Sequence, residues 1–200
     1  MVYPYMLIKF AKQRIQVSCR KKNHENAQYL INSNIREVVM TMNSETPPLQ
    51  IYLEKKGITL KDLIDTALEL FVPHPGLETE KAAAKMLQEE FRDALSDVNI
   101  SCLEVACFRA QEDAEKGLIP GLSKERFMGR PGLIADELLG LAIANYLAGV
   151  RGVFEFTRFD QAKPGILKKL GPITNDAIGG LVAGVSSNVY TRAFRKENMT

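Results

Sequence analysis

Residues 130–195 read RPGLIADELLGLAIANYLAGVRGVFEFTRFDQAKPGILKKLGPITNDAIGGLVAGVSSNVYTRAFR. Two long apolar segments flank a short charged one. Between Pro131 and Val150 the only charged residues are Asp136 and Glu137, and between Thr174 and Thr191 the only one is Asp176. The segment between them carries Asp160 and Lys163, just ahead of Pro164 and Gly165. Carboxylates on nearly unbroken apolar helices are costly to bury unless a hydrogen bond or an opposite charge compensates them. The fold class and the search for function both start from these acids.

The apolar spacing here is helical. Residues 133–149 are apolar nearly all round, which predicts a helix in the middle of a bundle. A short aromatic helix follows over about 152–161, with Phe154, Phe156 and Phe159, and Pro164 ends it. A last helix covers about 175–194, with Thr174 or Asn175 as its cap. Its Gly179, Gly180, Ala183, Gly184 and Ser187 would weaken an isolated helix. They imply a close backbone neighbour, within the chain or across a homo-oligomer.

Upstream the same period continues. Leu49–Lys55 reads as a short helix closed by Gly57. Thr59 with Asp62 resembles a capping box, and Leu60, Leu63, Ile64, Ala67, Leu68 and Phe71 form one helix face. A helix over about 79–96 turns Ala83, Met86, Leu87, Phe91, Ala94 and Leu95 inward. Another, capped by Asn99 and running to Lys116, turns Leu103, Ala106, Cys107, Ala110 and Ala114 inward. Residues 117–132 read as a loop. The expected class is all-α, about six helices around a central apolar one.

Two hundred residues with 46% hydrophobic and 25% charged side chains suit one globular domain. The charge is uneven. Residues 1–40 hold Lys9, Lys12, Arg14, Arg20, Lys21, Lys22 and Arg36 against Glu25 and Glu37. Residues 1–46 therefore read as a basic, flexible extension in which VYPYMLIKF and RIQVSC can pair as a hairpin, with a true start at Met40 or Met42 as the alternative, and residues 47–200 as the helical domain. A net charge of +2 gives no argument for nucleic acid. Three cysteines without a CxxC pair argue for a reducing compartment, with Cys102 and Cys107 as small core residues. No apolar run is long enough to span a membrane, and the first residues lack the basic start of a signal peptide. The expected location is cytoplasmic.

The acids have two readings. Asp136, Glu137 and Asp176 can be first-turn acids favoured by the helix macrodipole, and Asp160 with Lys163 a plain i, i+3 ion pair. The chain would then be a helical regulatory or interaction domain. Alternatively, carboxylates from three apolar helices gather round one divalent cation. Oxygen donors without convergent His or Cys suit Mg²⁺, Mn²⁺ or Ca²⁺ better than zinc, and a metal beside a lysine is a natural clamp for phosphate.

The runs IADELLGLAIANYLAG (134–149), RFDQAKPGIL (158–167) and NDAIGGLVAGVSSNV (175–189) together resemble the phosphatidylglycerophosphatase A family. That family shows a D-E pair entering an apolar helix, an F-D-x-x-K-P turn and a D-D-x-x-A-G helix start. GITLKDLIDTALEL (57–70) looks like its soluble branch, a six-helix bundle without membrane helices. The resemblance implies Mg²⁺-dependent hydrolysis of a phosphomonoester, with Mn²⁺ as the alternative ion. It implies that Asp136, Glu137, Asp160 and Asp176 are metal ligands or the general base, and that Lys163 holds the phosphate. Asn175 stands where the family has the first acid of its D-D pair, and keeps an oxygen toward the substrate. The family's G-T-F-G-S loop is missing, and Arg130, with Lys124 and Arg126, is the candidate to replace its phosphate contacts. The soluble branch includes a phosphatase for α-ribazole 5′-phosphate in assembling the nucleotide loop of cobalamin, and the resemblance implies that ester as the expected substrate. Phosphatidylglycerol phosphate is the alternative substrate.

Overall fold

A computed structural model describes residues 46–129 and 132–197. The expectations for the basic N-terminal residues, and for Arg130, lie outside the described residues. Among those described there are eight α-helices, one 3₁₀ turn and no strand, so the fold is all-α as the apolar period predicts.

Helix α1 (Pro48–Lys55) begins on a proline, which needs no hydrogen-bond donor in a first turn, and buries Leu49 and Leu53. Helix α2 (Leu60–Glu69) opens on the expected capping box. Asp62 N donates to Thr59 Oγ1 at 3.1 Å, and Thr59 N donates to Asp62 Oδ2 at 2.8 Å. Helix α3 (Glu80–Leu95) is capped by Thr79 and buries the predicted face. Helix α4 (Val98–Glu115) starts two residues earlier than expected, because Asp97 rather than Asn99 is the cap and accepts from Asn99 N at 2.7 Å. A five-residue helix α5 (Lys124–Met128) lies in the segment read as a loop. Ser123 caps it and Phe127 is its buried anchor. Five residues are too few to show a period. Helices α6 (Ala135–Ala148) and α7 (Val150–Ala162) follow, joined at Gly149, then the 3₁₀ turn (Gly165–Lys169) and α8 (Pro172–Glu197).

The central helix is α8, not the 133–149 helix. Every residue from Ala177 to Ser187 is buried, and α8 packs against α6, α7, α3 and α4. Helix α6 leaves Leu138 and Tyr146 exposed, as is Ile134 just before it. The reason is size rather than hydropathy. A methyl group on Gly180 would stand 2.2 Å from the carbonyl oxygen of Gly140, and one on Gly140 would stand 2.4 Å from that of Asp176. The two backbones touch, which a helix of larger apolar residues cannot allow. The small residues of α8 thus serve packing inside the chain.

The buried face of α4 is rotated from the predicted one. Cys107 and Ala114 are buried as expected, but Ala106 and Cys102 are exposed while Glu104 and Gln111 are buried. Neither carboxyl oxygen of Glu104 has a hydrogen-bond partner. Burial pushes its pKa from the ordinary 4.5 up to about 8. The folded chain therefore keeps a proton that the unfolded chain releases between those values, so stability falls as pH rises through that window. The loss is up to roughly 1.4 kcal/mol per pH unit. Glu104→Met should abolish this dependence. In urea denaturation at pH 5 and pH 8.5, the wild type should lose several kcal/mol more than the variant.

Candidate functional site

The connection between α7 and α8 sets two helix ends face to face. Phe159 is fully buried and fixes the last turn of α7. Lys163 then closes the helix in the left-handed region, at φ 46° and ψ 53°, and is the one non-glycine residue with positive φ among those described. That conformation costs an ordinary residue roughly 1–2 kcal/mol, and glycine usually takes it. Here a lysine takes it, and its side chain turns back between the helix ends.

The turn after Lys163 is docked on α2. Gly165, at φ 53°, lies so close to Thr66 that a methyl group there would stand 2.3 Å from Thr66 Oγ1. Thr66 is fully buried. Its hydroxyl donates to Asp62 O at 2.6 Å and accepts from Ile166 N at 3.1 Å. Thr66→Val keeps the shape and strands the Ile166 N–H. It should lower stability by about 1–2 kcal/mol in chemical denaturation.

The start of α8 is held with similar care. Ile173 N, one of the donors a helix start leaves unpaired, donates to Gln111 Oε1 at 3.0 Å. Asn175 Nδ2 donates to the carbonyls of Gly171 and Pro172 at 3.1 and 2.9 Å. Its oxygen is thereby turned toward Lys163. Helix α8 begins at Pro172, so Thr174 and Asn175 lie inside its first turn and neither is the cap. Asp176 follows, with only 3% of its surface exposed.

Lys163 Nζ is the focus of these groups. It donates to Asp160 Oδ1 at 2.5 Å, to Asp176 Oδ1 at 2.6 Å and to Asn175 Oδ1. An ammonium has three protons, and all three are engaged. Burial works against the charge on Lys163, but the bonds to Asp160 and Asp176 outweigh it and hold the pKa above its ordinary value. Burial pushes the Asp176 carboxyl up to about 6; Lys163 pulls against this, while Asp160 and Asp136 add to it. Asp136 is half-buried, and its Oδ1 accepts from Glu137 N at 3.1 Å.

Of the residues singled out by sequence, Asp160, Lys163, Asn175 and Asp176 thus meet in one cluster, with Asp136 near enough to act on Asp176 through its charge. Glu137 is solvent-exposed, as are Lys124 and Arg126 on α5. Thr66 and Gln111, which position the cluster, escaped the sequence reading; nothing local marks a contact partner 100 or 62 residues away. The oxygen donors are of the kind that suits a hard divalent cation, and the Lys163 ammonium already occupies a cation position among them. Among the described residues no three His, Cys, Asp or Glu side chains stand grouped to hold a metal ion in this arrangement.

An all-α chain whose central helix starts at a lysine–carboxylate cluster is the class that fold and site define. No protein-family model matches the chain. It is 32% identical over 133 residues to the uncharacterized protein MJ1330 of Methanocaldococcus jannaschii, a match that spans 64% of this chain and 99% of that protein. The chain belongs to the same family as MJ1330. Solved structures share the fold. The low temperature requirement C protein of Listeria monocytogenes is similar at a TM-score of 0.61 and 22% identity, over 74% of this chain and 98% of that one. Protein ypjQ of Bacillus subtilis, from the family DUF64, is similar at 0.62 and 21%, over 78% and 98%. Among the described residues no helix is long and apolar enough to cross a membrane.

Proposed function

We propose that the chain is a phosphomonoester hydrolase that uses Mg²⁺ or Mn²⁺, with α-ribazole 5′-phosphate as its substrate. The observation that carries this reading is the Lys163 cluster: one ammonium and three oxygens, from the end of α7 and the start of α8, beside the half-buried Asp136. Asp160, Asp176 and Asp136 are the carboxylates that would have to close on the metal, since they do not stand grouped for one in this arrangement, with Glu137 at the exposed edge. When bound, the ion supplies a Lewis acid for a phosphoryl oxygen and a more acidic water. Lys163 offers positive charge to the phosphoryl oxygens. Asn175 orients Lys163 through its amide oxygen. Asp160, more exposed than Asp176, is the carboxylate best placed to take a proton from water.

A second substrate, phosphatidylglycerol phosphate, is favoured by one observation. Leu138 on α6 and Val150 and Phe154 on α7 are large apolar side chains left exposed, Phe154 by 73%, on the helices that carry Asp136 and Asp160. Such side chains suit contact with a lipid surface. Phosphate release from α-ribazole 5′-phosphate and from phosphatidylglycerol phosphate in detergent micelles separates the two. Faster release from the soluble ester supports the first reading. Release from micelles alone replaces it with the second, and release from neither refutes both.

A further inference from the structure

A cleft lies roughly 15 Å further along α8 from Asp176, where α2, α3 and α7 meet that helix beneath the connection from α2 to α3. It holds about 260 Å³ of space between side chains, part of it open to solvent, and its closed part has room for about one water-sized group. Ala67, Leu77, Ala83, Leu87 and Val189 form an apolar floor, and all are buried. Leu70, Phe71, Glu155 and Tyr190 stand half-buried at the mouth.

The walls are fixed by hydrogen bonds. The Tyr190 hydroxyl donates to Val72 O at 3.1 Å and accepts from Val72 N at 2.9 Å, and the Phe71 ring stacks on Tyr190 with centroids 6.3 Å apart. His74 and Leu77 exchange backbone hydrogen bonds, which seats Leu77 in the floor. Arg158 Nη2 donates to Leu70 O at 2.9 Å and its Nη1 to Glu155 Oε1 at 2.7 Å. The carboxylate at the mouth is thereby already neutralised. One polar group in the floor is left over. Ser186 is 5% exposed, and its hydroxyl has no hydrogen-bond partner among the described residues. A buried hydroxyl without a partner costs about 1–3 kcal/mol, a cost that alanine at this position would not carry.

We propose that this cleft is a binding site for a small uncharged alcohol. The ligand hydroxyl fits the closed part and pairs with Ser186 Oγ, and the alkyl body lies against Leu77, Leu87, Val189 and Phe71. A charged ligand is disfavoured, because a buried charge needs a partner of opposite sign and Glu155 is taken by Arg158. The site stands apart from the Lys163 cluster and does not depend on the function proposed above.

The test is an NMR titration of the isotope-labelled full chain with n-butanol. Shifts should saturate and be largest at Leu77, Leu87 and Val189. Ser186→Ala should melt at or above the wild-type temperature, since it loses an unpaired hydroxyl. It should bind n-butanol roughly fivefold more weakly, the effect of one neutral hydrogen bond. Shifts that grow without saturating, or that spread over the surface, overturn the proposal and leave the cleft to water alone. Equal affinity in Ser186→Ala overturns it too, as does a Ser186→Ala chain that melts well below the wild type, which would give the hydroxyl a structural role instead.

Discussion

Asp160→Asn is expected to lower kcat for phosphomonoester hydrolysis by at least about a hundredfold while the chain stays folded. The magnitude is the lower end of what a positioned general base contributes, roughly a hundredfold to ten-thousandfold. The fold should survive because Asp160 is only half-buried and an amide oxygen can still accept from Lys163 Nζ. Lys163→Ala is a less clean variant. It leaves Asp176, almost wholly buried, without its cation, and breaking a buried pair in that way costs about 3–5 kcal/mol. Steady-state rates and thermal melts on the same Asp160→Asn preparation separate a chemical loss from a structural one. A wild-type rate in this variant would remove Asp160 from the site.

The second large effect concerns two neighbouring glycines. Gly180→Ala places a methyl group 2.2 Å from the Gly140 carbonyl oxygen, and backbone cannot move aside as a side chain tip can. Helices α6 and α8 would have to separate at the centre of the core. The cost should reach several kcal/mol, a large part of the stability of a domain this size. Gly179→Ala makes the same chemical change one residue earlier. There the nearest atom is Phe156 Cε2 at 3.4 Å, an ordinary contact, and helix propensity favours alanine by roughly 1 kcal/mol. Gly179→Ala should melt at or above the wild-type temperature, and Gly180→Ala well below it or not fold at all. Similar melting temperatures for the two would contradict the close approach of α6 and α8.

The all-α class and most helix starts were legible because caps and apolar period are local signals. Thr59 with Asp62 is an example, and so is the face of α3. Which helix lies at the centre was less legible. Hydropathy favours 133–149, but centrality is decided by how near two backbones can come, and that shows only in the glycines of α8. The rotation of α4 was hidden because Glu104 and Gln111 are polar residues in buried positions. Gln111 is there to hold the start of α8. Glu104 has no partner, and sequence offers no sign that a carboxyl will be left alone in a core.

The candidate site divides in the same way. Asp160, Lys163, Asn175 and Asp176 stood out as charged or polar residues bordering apolar helices, and they meet. What spacing left open was their mutual arrangement. Asp160 and Lys163 are three residues apart on one turn, but Asp176 is reached only through the Pro164–Gly165 turn, and that turn is held by Thr66 from a distant helix. The adjacent acids Asp136 and Glu137 point about 100° apart on a helix, so the half-buried position of one and the exposure of the other follow from geometry.

The proposed function requires that the Lys163 cluster belong to a metal-dependent phosphomonoester site. The most direct test is phosphate release from α-ribazole 5′-phosphate by chain treated with EDTA and then titrated with Mg²⁺. Release should be absent in EDTA and return in a saturable way with Mg²⁺ or Mn²⁺. An equal rate in EDTA, or no release at any Mg²⁺ or Mn²⁺ concentration from either this ester or phosphatidylglycerol phosphate, would contradict it.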